Sequence, residues 1–163
     1  MTEKKELIEK ARRLGRDYLL KYGGCAPGTL MAVAHTLNLE VSDEVFKVMT
    51  GFSRLAGVCG NICGGIAAMG LMYGVGLEDF VKNPEIGSLS FTKLITVTNV
   101  LREKFIEEYG GYLCDDVQTK LFGKRVMPTS PEELEAFSKM DPKELEFYRE
   151  KCASVTETLP DGR

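Results

Sequence analysis

Glycines divide this chain into segments of helical periodicity, and cysteines stand at most of the divisions. The densest case is the run Gly57–Gly65, which holds Cys59 and Cys63. The other three cysteines are Cys25 after Gly23-Gly24, Cys114 after Gly110-Gly111, and Cys152 within the last helical segment. Because thiolates are soft metal ligands and redox groups, five thiols distributed in this way predict a thiol or metal site.

Helical spacing of apolar residues extends over almost the whole chain, and no strand pattern competes with it. The predicted helices are 2–22, about 27–38, one from the Ser42 cap through Met49, 60–73, 91–109, a short one from Cys114 to Gly123, 131–139 and 142–158. Pro84 and Gly87 predict that 75–89 is a loop with one short turn. The prediction is all-α: a single-domain helical bundle of about seven or eight helices with glycine-rich loops, spanning residues 1–163.

Capping signals mark the starts of the last two helices. Ser130 and Asp141 each precede a proline, and each is followed three residues later by a glutamate. This is the spacing of a capping box with proline in the first helical position.

Charge and hydropathy limit the class of partner. A net charge of −3 over 163 residues leaves no basic footprint for nucleic acid, and no apolar run is long enough for insertion into a membrane. The charged start Met1–Glu6 lacks the apolar core of a signal peptide, so we expect a cytoplasmic, reducing location in which disulfide staples are rare. The small-residue helix 60–74 is also compatible with a helix–helix contact, which leaves a homodimer open.

Three of the cysteines are expected at helix starts. Cys25, Cys59 and Cys114 each follow glycines that end one segment and precede the next helix. A helix N-terminus presents unpaired N–H groups and positive potential, so we expect it to lower the pKa of these thiols. Cys152 is expected in mid-helix, on a segment that closes over the site.

The alternative to a site is that these cysteines are buried as small hydrophobic residues. This reading is strongest for Cys63, which follows Cys59 into the small-residue helix. The single histidine, His35, has no partner at metal-motif spacing, and no acid–base pair or nucleophilic triad is present. No catalytic residue is therefore predicted.

The run from Cys59 to Gly74 resembles the signature of the C_GCAxxG_C_C family of redox-active proteins. The pair Cys25-Ala26 is similar to the family's upstream cysteine-alanine helix start, and Cys114 and Cys152 are similar to its two downstream cysteines. In order and spacing the resemblance covers about 20–155, with close similarity over 57–74. Asn61 replaces the motif's alanine, and Cys63 stands where serine or threonine is usual. The resemblance implies a redox function.

Three hypotheses follow for the thiols. In the first, Cys25, Cys59, Cys114 and Cys152 bind an iron–sulfur cluster, most simply [2Fe–2S], for electron transfer or redox sensing with a partner protein. Cys63 is a spare candidate metal ligand beside these four. In the second, the thiols cycle between dithiol and disulfide without a metal. In the third, the same thiolates hold a structural zinc ion.

Overall fold

Nine helices form within residues 3–53 and 57–157, the part of the chain that this computed structural model describes. They are α1 (Glu3–Tyr22), α2 (Cys25–Leu37), α3 (Asp43–Gly51), α4 (Gly60–Tyr73), α5 (Leu77–Lys82), α6 (Pro84–Tyr109), α7 (Cys114–Phe122), α8 (Pro131–Ser138) and α9 (Pro142–Glu157). The all-α prediction is confirmed. Thr2 and residue 158, which the sequence placed in the first and last helices, lie outside the described residues. No helix of the described part is both long and apolar enough to cross a bilayer.

The helices pack in a ring. Neighbours in space follow the order α9, α1, α2, α4 and α6, and α7 contacts both α6 and α9. One apolar cluster lies among α4, α6, α7 and α9, and it includes Ile62, Leu101, Phe105, Val117 and Val155. A second lies among α2, α3 and α4, with Ala26, Leu30, Met49 and Ala68. Burial of this apolar surface is the main force that holds the ring closed.

Glycines of α4 allow α2 to approach it at backbone distance. A Cβ atom at Gly64 would lie 2.5 Å from the oxygen of Ala26 and 2.9 Å from the nitrogen of Leu30. A Cβ atom at Gly65 would lie 2.9 Å from a methyl group of Leu101 on α6. The small residues of α4 are therefore used for packing within the chain. The homodimer that this helix also suggested stays a prediction.

The loop predicted for 75–89 is wrong over most of its length. Helix α5 occupies part of it, and α6 begins at Pro84 rather than near Phe91. Proline is compatible with the first turn of a helix, where its missing N–H would have no intrahelical partner. The Asn83 side chain accepts a hydrogen bond from the N–H of Glu85 (3.2 Å) and caps this turn. A proline that was interpreted as a breaker is a helix start.

The predicted caps at the other helix starts are present. Ser42 Oγ accepts from Val45 N–H (3.4 Å), and Ser130 Oγ accepts from Glu133 N–H (3.2 Å). Asp141 Oδ1 accepts from the N–H groups of the second and third residues of the helix that follows it (2.9 and 3.4 Å). Each cap satisfies donors that the first helical turn leaves unpaired.

Candidate functional site

A cavity of about 90 Å³ lies where the starts of α2, α4 and α7 face α9, and four of the five cysteines line it. Cys25 is the first residue of α2, Cys59 is the N-cap of α4, and Cys114 is the first residue of α7. Cys152 reaches the cavity from within α9. Four thiols that are far apart in the sequence therefore share one cavity.

These four thiols also form one electrostatic group. Burial has the largest effect on the pKa of Cys59. The charges that Cys25, Cys114 and Cys152 would carry as thiolates raise this pKa further. The pKa of Cys152 is raised in the same way by Cys114 and Cys25, and that of Cys114 by Cys25. Coulomb energy falls with separation, so an interaction in all six pairs indicates that the sulfurs are mutually close.

The expectation that helix starts lower the thiol pKa values is wrong for Cys59 and Cys114. Burial raises the pKa of Cys114 from 9.0 to about 11 and that of Cys152 to about 12. Burial raises the pKa of Cys59 further still, although the backbone N–H of Asn61 donates to its sulfur. The free-energy cost of removing a charged sulfur from water exceeds the stabilisation that the helix N-terminus provides. As thiols, these three groups are protonated at neutral pH.

Two backbone hydrogen bonds hold the Cys59 and Cys114 segments together. The N–H of Cys59 donates to the oxygen of Tyr112 (2.9 Å), and the N–H of Cys114 donates to the oxygen of Gly57 (2.7 Å). These bonds flank an isolated antiparallel bridge between the two segments. Gly57 has a φ of 69°, a left-handed conformation that suits glycine. The bridge places the starts of α4 and α7 side by side.

Gly60 leaves room for the sulfur of Cys25. A Cβ atom at position 60 would collide with Cys25 Sγ and would lie 2.9 Å from the nitrogen of Ala26. The glycine next to Cys59 is therefore a requirement for the close approach of the first two thiols.

Asn61 connects three helices beside the cavity. Its side chain is almost fully buried, and its Oδ1 accepts a hydrogen bond from Thr29 Oγ1 on α2 (3.0 Å). Its Nδ2 donates to the main-chain oxygen of Cys152 on α9 (3.3 Å). The residue that departs from the family motif thus positions the helix that carries Cys152. Sequence reasoning noted Asn61 only as a departure and did not predict this role.

Gln118 performs a similar role beside Cys114, and sequence reasoning did not identify it. Its Nε2 donates to Cys114 Sγ (3.4 Å), while its Oε1 accepts from the N–H groups of Val126 (2.6 Å) and Met127 (2.9 Å). The segment after α7 is thereby held against the cavity. The available signal was its spacing, because a residue four positions after Cys114 shares one helix face with it.

Cys63 does not line the cavity. It is half-buried and packs against both apolar clusters. Burial raises its pKa, and among the thiols of the cavity the effect of Cys25 is the one resolved on it. Of the five candidate metal ligands, the structure brings together four and leaves Cys63 in the packing between α4 and its neighbours.

The cavity wall is mainly apolar, and Arg149 is the one charged side chain that lines it among the described residues. Within residues 3–53 and 57–157, no group of three or more His, Cys, Asp or Glu side chains is arranged to hold a metal ion. Four cysteines thus line one cavity without forming a ligand group for a single ion among the described residues. None of the five cysteines, all of which are described, forms a disulfide.

Comparisons with known proteins agree with the cysteine pattern. The family model described as "Putative redox-active protein (C_GCAxxG_C_C)" matches residues 24–160, which include all five cysteines. A relative from Archaeoglobus fulgidus, described as "Uncharacterized protein", is 27% identical over 122 residues, which is 71% of this chain and 79% of that protein. No solved structure matches the chain.

Proposed function

The chain belongs to the C_GCAxxG_C_C family of redox-active proteins, and we propose that its four-thiol cavity binds an iron–sulfur cluster, most simply [2Fe–2S]. The proposed ligands are Cys25, Cys59, Cys114 and Cys152. The observation that carries the proposal is that these four thiols, and not Cys63, line one cavity. When bound, the cluster would supply one-electron oxidation and reduction. The protein would then transfer electrons to a partner protein or sense redox state.

The chemistry of the surroundings fits such a group. Thiolates of four cysteines are the usual ligands of these clusters, and hydrogen bonds to the sulfurs tune their potential. Donors of this kind are present, since Asn61 N–H donates to Cys59 and Gln118 Nε2 donates to Cys114. Arg149 supplies a positive charge at the cavity, and the apolar wall limits access of water.

The arrangement supports a cluster more than a zinc ion. A tetrahedral zinc site needs four ligands at about 2.0–2.3 Å from a single centre. A two-iron cluster instead divides four thiolates between two iron atoms. We prefer the second geometry because four cysteines line one cavity, while no described group of side chains is arranged around a single ion.

The arrangement also gives less support to thiol–disulfide exchange. The attacking species in that chemistry is the thiolate. Burial raises the pKa of Cys59, Cys114 and Cys152, so little thiolate is present at neutral pH. A metal or cluster binds thiolates and releases their protons, so a high pKa does not prevent ligation.

Anaerobic reconstitution with iron and sulfide tests the proposal. We expect a coloured protein with about two iron and two sulfide per chain, measured by visible absorption and chemical analysis. Replacing Cys25, Cys59, Cys114 or Cys152 with serine should abolish or strongly reduce the colour. Cys63→Ser is the matched control and should retain it.

Three outcomes would contradict this assignment. A colourless protein with one zinc ion per chain would support the structural zinc site. A colourless, metal-free protein that forms an intramolecular disulfide on mild oxidation would support dithiol chemistry. Loss of the cluster in Cys63→Ser alone would show that the ligand set is wrong.

A further inference from the structure

A second cavity, of about 730 Å³, meets the thiol cavity at Gly23, which lines both. Its wall includes Tyr18, Tyr22, Met31, His35, Phe46 and Ser53. We propose that this second cavity binds a flat, uncharged aromatic molecule with carbonyl groups, of the quinone class. Its volume is within the usual range for small-molecule sites.

Aromatic rings form much of the wall. The rings of Tyr18 and Tyr22 lie 6.1 Å apart, and the His35 ring meets Tyr18 edge-on at 5.8 Å. Phe46 and Met31 add further apolar contact area. Such walls suit a flat ring system, which they contact by stacking and by sulfur–aromatic interaction.

Ser53 supplies an unused hydrogen-bonding group to this cavity. Its Oγ is buried and has no hydrogen-bond partner among the described residues. The same oxygen would lie 3.6 Å from a Cβ atom at Gly24, which places it beside the turn that joins the two cavities. A buried hydroxyl without a partner is unfavourable, and a ligand carbonyl would accept its hydrogen bond.

His35 supplies a second polar group. Its Nδ1 is 2.7 Å from the hydroxyl oxygen of Tyr18, so this ring nitrogen is engaged. When Tyr18 donates in this bond, Nε2 is the ring nitrogen that carries a proton and is available to donate to a ligand. Ser53 and His35 together provide two donors for the two carbonyl oxygens of a quinone.

Charge restricts the ligand class. Among the described residues that line the cavity, none is aspartate, glutamate, lysine or arginine. The ammonium of Lys21 lies over the Tyr22 ring, 5.1 Å from its centroid, and does not line the cavity. A phosphate or carboxylate inside the cavity would lose its hydration without gaining a counter-charge from the wall. Nucleotides and organic acids therefore fit poorly. That the ligand is an electron carrier for the thiol site rests on the proposed function, whereas binding itself does not.

Binding is tested with 2,3-dimethyl-1,4-naphthoquinone, whose quinone ring has no open position for addition of a thiol. The chain has no tryptophan, and two of its six tyrosines, Tyr18 and Tyr22, line this cavity, so binding should quench part of the tyrosine fluorescence. Calorimetry provides a second measurement. We expect saturable binding. Ser53→Ala and His35→Ala should each weaken it by about tenfold, the effect of losing one hydrogen bond. Ser138→Ala, an exposed serine on α8, is the control and should bind as the wild type does.

A steric variant and a cysteine variant complete the test. Thr50→Trp places a large ring at an exposed position of the cavity wall and should block binding, with helicity unchanged by circular dichroism. Cys59→Ser should bind the quinone normally even if it forms no cluster, so failure of the cluster proposal is distinguishable. Absence of saturable binding to the wild type would overturn the inference, as would unchanged binding by both alanine variants. Tighter binding of a carboxylated naphthoquinone would overturn the ligand class.

Discussion

The side-chain amide of Asn61 donates a hydrogen bond to the main-chain oxygen of Cys152, across 3.3 Å and between helices α4 and α9. Through its other atom, Oδ1, the same side chain accepts from Thr29 on α2. Three of the helices that line the thiol cavity thus meet at one buried amide. The position of Cys152 depends on a residue that is not itself a candidate ligand.

Asn61→Ala should destabilise the protein although it restores the alanine of the family motif. It leaves the Thr29 hydroxyl and the Cys152 carbonyl without these partners, at a cost of about 1–3 kcal/mol in the free energy of unfolding. Urea denaturation measures this. Asn99→Ala, at an exposed position of α6, is the control and should change stability by less than about 0.5 kcal/mol. Equal effects of the two substitutions would contradict a positioning role for Asn61.

Gly60→Ala should prevent normal assembly of the thiol site, because the added methyl group collides with Cys25 Sγ. We expect a lower melting temperature and little or no cluster after reconstitution. Gly70→Ala in the same helix is the matched control, since a Cβ atom there has no neighbour within 4 Å. The control should be neutral or stabilising by up to about 1 kcal/mol from helix propensity. A Gly60→Ala protein that carries a full cluster would refute the close approach.

Gln118→Ala should release the segment after α7. Two backbone N–H groups, those of Val126 and Met127, lose their acceptor, and Cys114 loses a donor. Hydrogen exchange at these two amides should become faster, and unfolding should require about 1–3 kcal/mol less. Thr119→Ala, the adjacent exposed position, should leave exchange at both amides unchanged.

The stability of the reduced, metal-free protein should fall as the pH rises above about 9. In the unfolded chain the thiols release protons near 9.0, whereas in the folded protein Cys114 retains its proton to about 11 and Cys152 to about 12. The unfolded state therefore binds fewer protons in this window, and the free energy of unfolding decreases with pH. Thermal melts across this range measure the slope.

The control for this pH dependence is the Cys114→Ala, Cys152→Ala double variant. Tyrosine and lysine side chains also titrate in the alkaline range, so the slopes of the two proteins are compared rather than read singly. The variant should lose less stability than the wild type over the same pH interval. Parallel slopes would show that burial does not hold these thiols in the protonated form.

The sequence predicted a helix start correctly where the capping signal involved only neighbouring residues. Ser42, Ser130 and Asp141 cap helices as their spacing predicts, because a cap involves only the residues of one turn. The interval 75–89 was misread because Pro84 suits both a loop and a first helical turn. Local sequence did not distinguish these two environments.

The order of helices and the positions of three cysteines at helix starts follow from the sequence itself, since both depend on neighbouring residues in the chain. Only the tertiary structure decided which thiols share a cavity, with Cys152 included and Cys63 packed elsewhere. It also decided the direction of the pKa shifts, because desolvation depends on side chains distant in the sequence and exceeds the local effect of a helix start. The roles of Asn61 and Gln118 have the same origin, since their partners become neighbours only when the helices pack.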